Sequence, residues 1–191
     1  MNIVKRLMKA RGLSSLIFLI ALFFVVGSIN PAFLTPATIA ACFNTSVVYT
    51  LVAVGVAFTL FIGEIDVSVG SNLGLVAAVV GTMLRDGQPL IAVVVVGVVI
   101  GAAIGLINAW GVAVMKAPSL IFTLGVNGIL RGIIYVYTNG AWVENLPKSF
   151  KDFSAVTGVG DLTVYYCAVI ALVVIIHMVL TKTRRGRWFA A

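Results

Sequence analysis

Six long apolar runs constrain this chain more than any other feature. They cover residues 13–29, 38–62, 67–84, 90–115, 119–138 and 163–181. A helix rising 1.5 Å per residue crosses the hydrocarbon core of a bilayer in about 20 residues. Each run comes close to that length. Short breaks separate several of them: Asn30-Pro31, Thr35-Pro36, Asp86-Gly87-Gln88-Pro89 and Ala117-Pro118. Residues of these types stop helices and make turns. A core cannot hide so much oil, because 61% of the 191 residues are hydrophobic and only 10% are charged. Soluble domains carry about 25% charge. Soluble globular and disordered classes are therefore excluded. The expected fold class is all-α: a polytopic membrane helix bundle of about six transmembrane spans, read as one domain over 1–191.

The formal net charge of +7 is an orientation signal in such a chain. With a cytoplasmic N-terminus, alternate threading puts Lys5, Arg6, Lys9, Arg11, Lys116, Lys182, Arg184, Arg185 and Arg187 inside. It puts Arg85, Lys148 and Lys151 outside and Arg131 within a span. That distribution obeys the positive-inside rule, and the reverse threading violates it. Tyr135, Tyr137, Trp142, Tyr165 and Tyr166 then fall near the outer interface, and Trp188 at the inner one. Both ends are expected in the cytoplasm. The first run follows a basic stretch, as in a signal peptide, but no A-x-A cleavage pattern follows, so it reads as an uncleaved anchor. Basic residues are not interleaved with aromatics, so no nucleic-acid partner is expected. Membrane lipid is the expected surroundings. Cys42 and Cys167 read as buried small hydrophobes. Loop 139–162 is the long hydrophilic segment, placed outside and expected to carry a short helix.

Lipid gives helices no hydrophobic reason to associate, so close packing relies on small residues. Gly97, Gly101 and Gly105 recur at four-residue spacing in the fourth run, and Gly128 and Gly132 in the fifth. These five are expected helix-packing positions.

Polar residues are expensive in a membrane, which singles out a few positions. In Gly63-Glu64-Ile65-Asp66-Val67-Ser68-Val69-Gly70-Ser71 polar and apolar residues alternate with period two. That predicts an extended or unwound link between the second and third runs. Ser68 or Asp66 is placed to cap the helix that follows. A solvated cytoplasmic hairpin is the alternative. Arg131 lies seven residues before the end of the fifth run and needs snorkelling or a partner. Asn44, Thr45, Ser46 and Asn108 are expected interhelical hydrogen-bond formers. His177 reads as structural. The chain has no Walker A motif, HExxH, paired-His site or Ser/His/Asp set. ATP hydrolysis, a metal, a cofactor and covalent catalysis are therefore not expected here.

The segment Gly63 to Ser71 resembles the "GGIDLSVGS" signature of ABC-transporter permeases for ribose-type sugars. Ala117 to Gly125, continuing to Arg131-Gly132, resembles the "PPFIATLG…RG" pattern of the same family. Thr138-Asn139-Gly140, Pro147 and Phe150 are similar to its "TGG…P..F". Thr183-Arg184-Arg185-Gly186-Arg187 resembles "T.FGR", which leads into the cytoplasmic coupling loop. Glu64 stands where the family usually has Gly, and Arg185 where it has Phe. The chain stops where the coupling loop should begin, so it resembles the N-terminal part of such a permease.

This resemblance implies a multi-pass subunit of the bacterial inner membrane. The implied function is import of a sugar or sugar-like solute. Implied partners are a cytoplasmic ATPase subunit, a periplasmic sugar-binding protein and a second permease subunit. Glu64, Asp66, Ser68, Gly70, Ser71, Thr123, Gly125 and Arg131 would line the pathway or shape a helix break. Arg184, Gly186 and Arg187 would approach the coupling loop. Two alternatives compete: an ion-coupled secondary transporter using Glu64, Asp66 and Arg131, or a truncated remnant that transports nothing.

Overall fold

The structure, a computed structural model, describes residues 13–159 and 162–182. Six apolar helices form it, with ends within two residues of the runs above. Helix α1 is Leu13–Ile29. A 3₁₀ turn, Pro31–Leu34, leads into α2, Pro36–Phe61. Then come α3, Val69–Arg85, α4, Leu90–Ala113, and α5, Ser119–Thr138. A short α6, Lys148–Ser154, precedes an antiparallel hairpin of β1, Thr157–Val159, and β2, Leu162–Thr163. Helix α7 is Val164–Lys182. Helices α2, α4, α5 and α7, of 26, 24, 20 and 19 residues, are long and apolar enough to cross a membrane. Helices α1 and α3 have 17 residues each, or about 26 Å. Among the described residues, four of the six expected spans therefore reach crossing length, and the described stretches of the other two are shorter than the roughly 30 Å hydrocarbon core.

Local chemistry explains the helix boundaries. Thr35 caps α2 by accepting from the Thr38 amide, and Pro36 occupies the first turn, where its missing N–H costs nothing. The other end of α2 closes through Gly63 at φ 79°. The Gly63 amide donates to Leu60 O and the Glu64 amide to Thr59 O, the two bonds that define a Schellman ending. Helix α3 ends the same way through Gly87, with Gly87 N to Leu84 O and Gln88 N to Met83 O. Pro89 then starts α4.

Helix α3 is the centre of the packing. Its Ser71, Leu75, Ala78, Gly81 and Leu84 form one buried face against α4 and α5. Leu75, Ile104 and Leu130 make the core there, flanked by Val79, Ile100, Val126 and Ile134. Helix α2 packs instead with α7. Asn44 on α2 accepts from the Thr163 amide at 2.8 Å, and the Phe43 and Tyr166 rings meet at 5.6 Å. Ser46, expected to bond across helices, donates back to Phe43 O in its own helix. The loop before α7 carries the expected short helix and adds the hairpin. It is tied down by the Tyr165 hydroxyl donating to Phe153 O at 2.8 Å.

Two expectations need correction. Cys42 and Cys167 are exposed rather than buried. The helices of the bundle put most large apolar side chains outward, including Phe18, Ile91, Leu106 and Val136, as expected where lipid is the solvent. Among the five expected packing glycines, only Gly97 closes on a neighbour: a methyl group there would lie 3.1 Å from Val80 of α3. Among the described residues nothing comes close to Gly101, Gly105, Gly128 or Gly132, because α3 approaches α4 and α5 over Ile104, Asn108, Thr123 and Leu130 instead. Close approach occurs elsewhere, at Gly111 against the Phe122 ring and at Gly74 against Ile134.

Candidate functional site

The link between α2 and α3 is irregular at residues 64–66 and lies against α4 and α5. Its polar residues make the tightest hydrogen-bond cluster among the described residues. Asp66 Oδ1 accepts from the Ser68 amide at 2.8 Å and from the Ser68 hydroxyl at 2.7 Å. Asn108 Nδ2 on α4 donates to Ser68 Oγ at 2.7 Å and to Asp66 Oδ2 at 3.2 Å. Of the two expected caps, Asp66 therefore takes the backbone N–H at the helix entrance, and Ser68 joins α4 to the link. The Ser68 carbonyl starts the helix by accepting from the Asn72 amide at 2.8 Å.

Helix α5 holds the link from the other side. Its Ser119, Thr123 and Asn127 recur every four residues and so share one face. Ser119 Oγ accepts from the Ile65 amide at 3.2 Å, and Thr123 Oγ1 from the Val67 amide at 3.1 Å. The Ser71 hydroxyl reaches Asn127. Two side chains of one helix thus satisfy alternate amides of the irregular link, whose N–H groups have no helical partner. Ser68, Ser71, Asn108 and Thr123, the buried polar residues, all belong to this cluster, at 0%, 6%, 6% and 2% exposure. Asn108 Oδ1 is buried and accepts no hydrogen bond.

A cavity of about 700 Å³ opens beside the cluster. Ile62, Glu64, Asp66, Asn108, Lys116 and Ser119 are among its lining residues. Glu64 is half-buried, and its carboxylate makes no side-chain hydrogen bond or ion pair with any described residue. Lys116 sits at φ 57° in the turn between α4 and α5, a costly conformation for a residue with a β-carbon.

A second cavity, of about 620 Å³, lies further along α3 and α5. Gly74, Gly81, Arg131, Tyr135 and Trp142 help to line it. Arg131 is exposed there and forms no ion pair. The one ion pair among the described residues is Arg85 with Asp86, at 3.1 Å. So Glu64, Asp66, Ser68, Ser71 and Thr123 gather at one place, and Arg131 lies apart. Gly70 and Gly125 are exposed, and an added β-carbon at either would meet nothing within 4 Å beyond its own stretch of helix among the described residues. Arg184, Gly186 and Arg187 lie outside the described residues. Sequence reasoning passed over Ser119, Asn127 and Lys116. The four-residue spacing of Ser119, Thr123 and Asn127 was the available signal.

The family description "branched-chain amino acid transport system / permease component" matches residues 38–191. The chain is 37% identical over 188 residues to the autoinducer 2 import system permease protein of Enterobacter sp. (strain 638). It is 36% identical over 188 residues to that of Klebsiella pneumoniae subsp. pneumoniae, and 32% identical over 193 residues to that of Salmonella typhi. Each alignment covers 98% of this chain and 54% of the relative. The chain thus spans about half the length of these curated relatives. No solved structure matches. With four helices of membrane-crossing length and the ribose-type motifs in order, the chain is a multi-pass membrane protein, and it belongs to the branched-chain amino acid transport system / permease component family.

Proposed function

We propose that this chain supplies the N-terminal half of the membrane subunit of an ATP-driven importer for a sugar-like solute. Solute is delivered by a periplasmic binding protein, ATP is hydrolysed on a separate cytoplasmic subunit, and a second permease subunit completes the pathway. Both ends face the cytoplasm, following the distribution of Lys and Arg. The link at 63–71 and the 123–131 stretch of α5 shape the pathway. The relatives named for autoinducer 2 import support the solute class. The observation that carries the structural part is the break between α2 and α3, held by Asn108, Ser119 and Thr123 rather than by helix hydrogen bonds. Non-helical backbone in a membrane protein is tolerated where it is buried in protein or lines a cavity; here Ser68 is buried, and Glu64, Ile65 and Asp66 line a cavity.

The test is uptake by proteoliposomes holding the chain extended to the full length of its relatives, with its ATPase and binding protein. ATP-dependent uptake that survives collapse of proton and sodium gradients is expected. Gradient-driven uptake without the ATPase would overturn the reading in favour of a secondary transporter. Orientation is read separately: Asp152→Cys, with Cys42 and Cys167 replaced by Ser, should react with an impermeant maleimide added outside intact cells.

A further inference from the structure

We propose that the 700 Å³ cavity beside the link is a binding station for a neutral polyhydroxylated solute, with Glu64 and Lys116 as its specificity-determining side chains. This rests on the import reading above and names where in the chain the solute pauses.

The volume lies within the range of small-molecule sites. Its walls are mostly apolar, with Ile62, Ala109 and Val112 offering surface to the C–H face of a ring. Its polar groups sort into two kinds. Asp66 is already satisfied, since both its oxygens accept from Ser68 or Asn108. Glu64 and Lys116 are not, and each lacks a side-chain partner among the described residues. An acceptor and a donor left free across one cavity match hydroxyl groups, which donate and accept together. The lining carries two carboxylates and one ammonium, so a phosphorylated or carboxylate solute meets net repulsion. Lys116 is exposed where it lines the cavity, and its left-handed backbone closes the end of α4, with the Ala117 amide donating to Gly111 O at 3.2 Å.

The experiment is ligand-observed saturation-transfer NMR of D-ribose on the purified chain in nanodiscs, with L-leucine as the counter-probe. Saturable ribose binding is expected, weakened about tenfold by Glu64→Gln, as the loss of one charge-assisted hydrogen bond implies. Asp152→Asn should bind like the parent. Ala113→Cys, made with Cys42 and Cys167 as Ser, gives a second readout: ribose should slow its modification by a methanethiosulfonate reagent. Absence of saturable ribose binding to helical, monodisperse protein overturns the proposal. So does stronger binding of leucine, or ribose binding unchanged in Glu64→Gln. ATP-dependent polyol uptake by the completed transporter with the same KM in Glu64→Gln would sink the station and leave the import reading intact.

Discussion

Asp66→Leu tests the link most directly. In the native chain Asp66 Oδ1 receives two short bonds, from the Ser68 amide at 2.8 Å and the Ser68 hydroxyl at 2.7 Å. Ser68 is fully buried, so its amide loses its partner and finds no water in exchange. A hydrogen bond to a charged group contributes about 1.5–3 kcal/mol. Asp66 is half-buried, and solvent screening brings that down to about 1–2 kcal/mol for each bond. The expected loss is therefore about 2–4 kcal/mol. Asp66→Asn keeps one acceptor oxygen and should lose about half as much. Asp152→Leu, on exposed α6 with no packed partner, should stay within about 0.5 kcal/mol of the parent. Thermal unfolding of the purified chain in detergent, followed by far-UV circular dichroism, reads the order. At about 2–4 °C per kcal/mol for a chain of this size, Asp66→Leu should melt roughly 5–15 °C below Asp152→Leu. Melting of the two variants within experimental error of each other would refute the reasoning, because the carboxylate would then not hold the helix entrance.

Thr123→Val removes the acceptor of the Val67 amide, should cost about 1–3 kcal/mol, and should speed hydrogen exchange at residues 65–68. Thr123→Ser should restore protection. Gly63→Ala puts a β-carbon at φ 79° and should cost about 1 kcal/mol in thermal unfolding, from left-handed backbone strain. Gly97→Leu drives a side chain into Val80 and should lower the melting temperature, whereas Gly101→Ala, with nothing close among the described residues, should be neutral or stabilise by up to about 1 kcal/mol. Lys116→Gly relieves the strained turn and should raise stability by about 1 kcal/mol while weakening ribose binding, as seen by pairing calorimetry with NMR titration.

Much of the architecture was readable from residue order. Helices begin at Pro36 and just after Pro118 and end through Gly63 and Gly87, because proline suits a helix's first turn and glycine its left-handed ending. The period-two alternation from Glu64 to Gly70 announced an unwound link for the same local reason. The faces of the helices were not readable. In α1 and α4 apolar residues surround the whole circumference, so no stripe marks the buried side, and of the glycine series on α4 only Gly97 closes on α3. Ser119 was passed over because nothing near it in sequence marks its role. Its partner, the Ile65 amide, is 54 residues away in sequence.

Local chain chemistry thus settles where helices begin, where they stop, and which segment cannot be one. It also carries the orientation bias, since charge placement depends on position along the chain. Tertiary packing alone brings Asn108 onto Ser68 and Asp66, sets Thr123 under Val67, and leaves Glu64 and Lys116 unpaired across one cavity. The physical reason is distance: hydrogen bonds between residues 40 or more positions apart depend on how α3, α4 and α5 pack, and no local propensity encodes that.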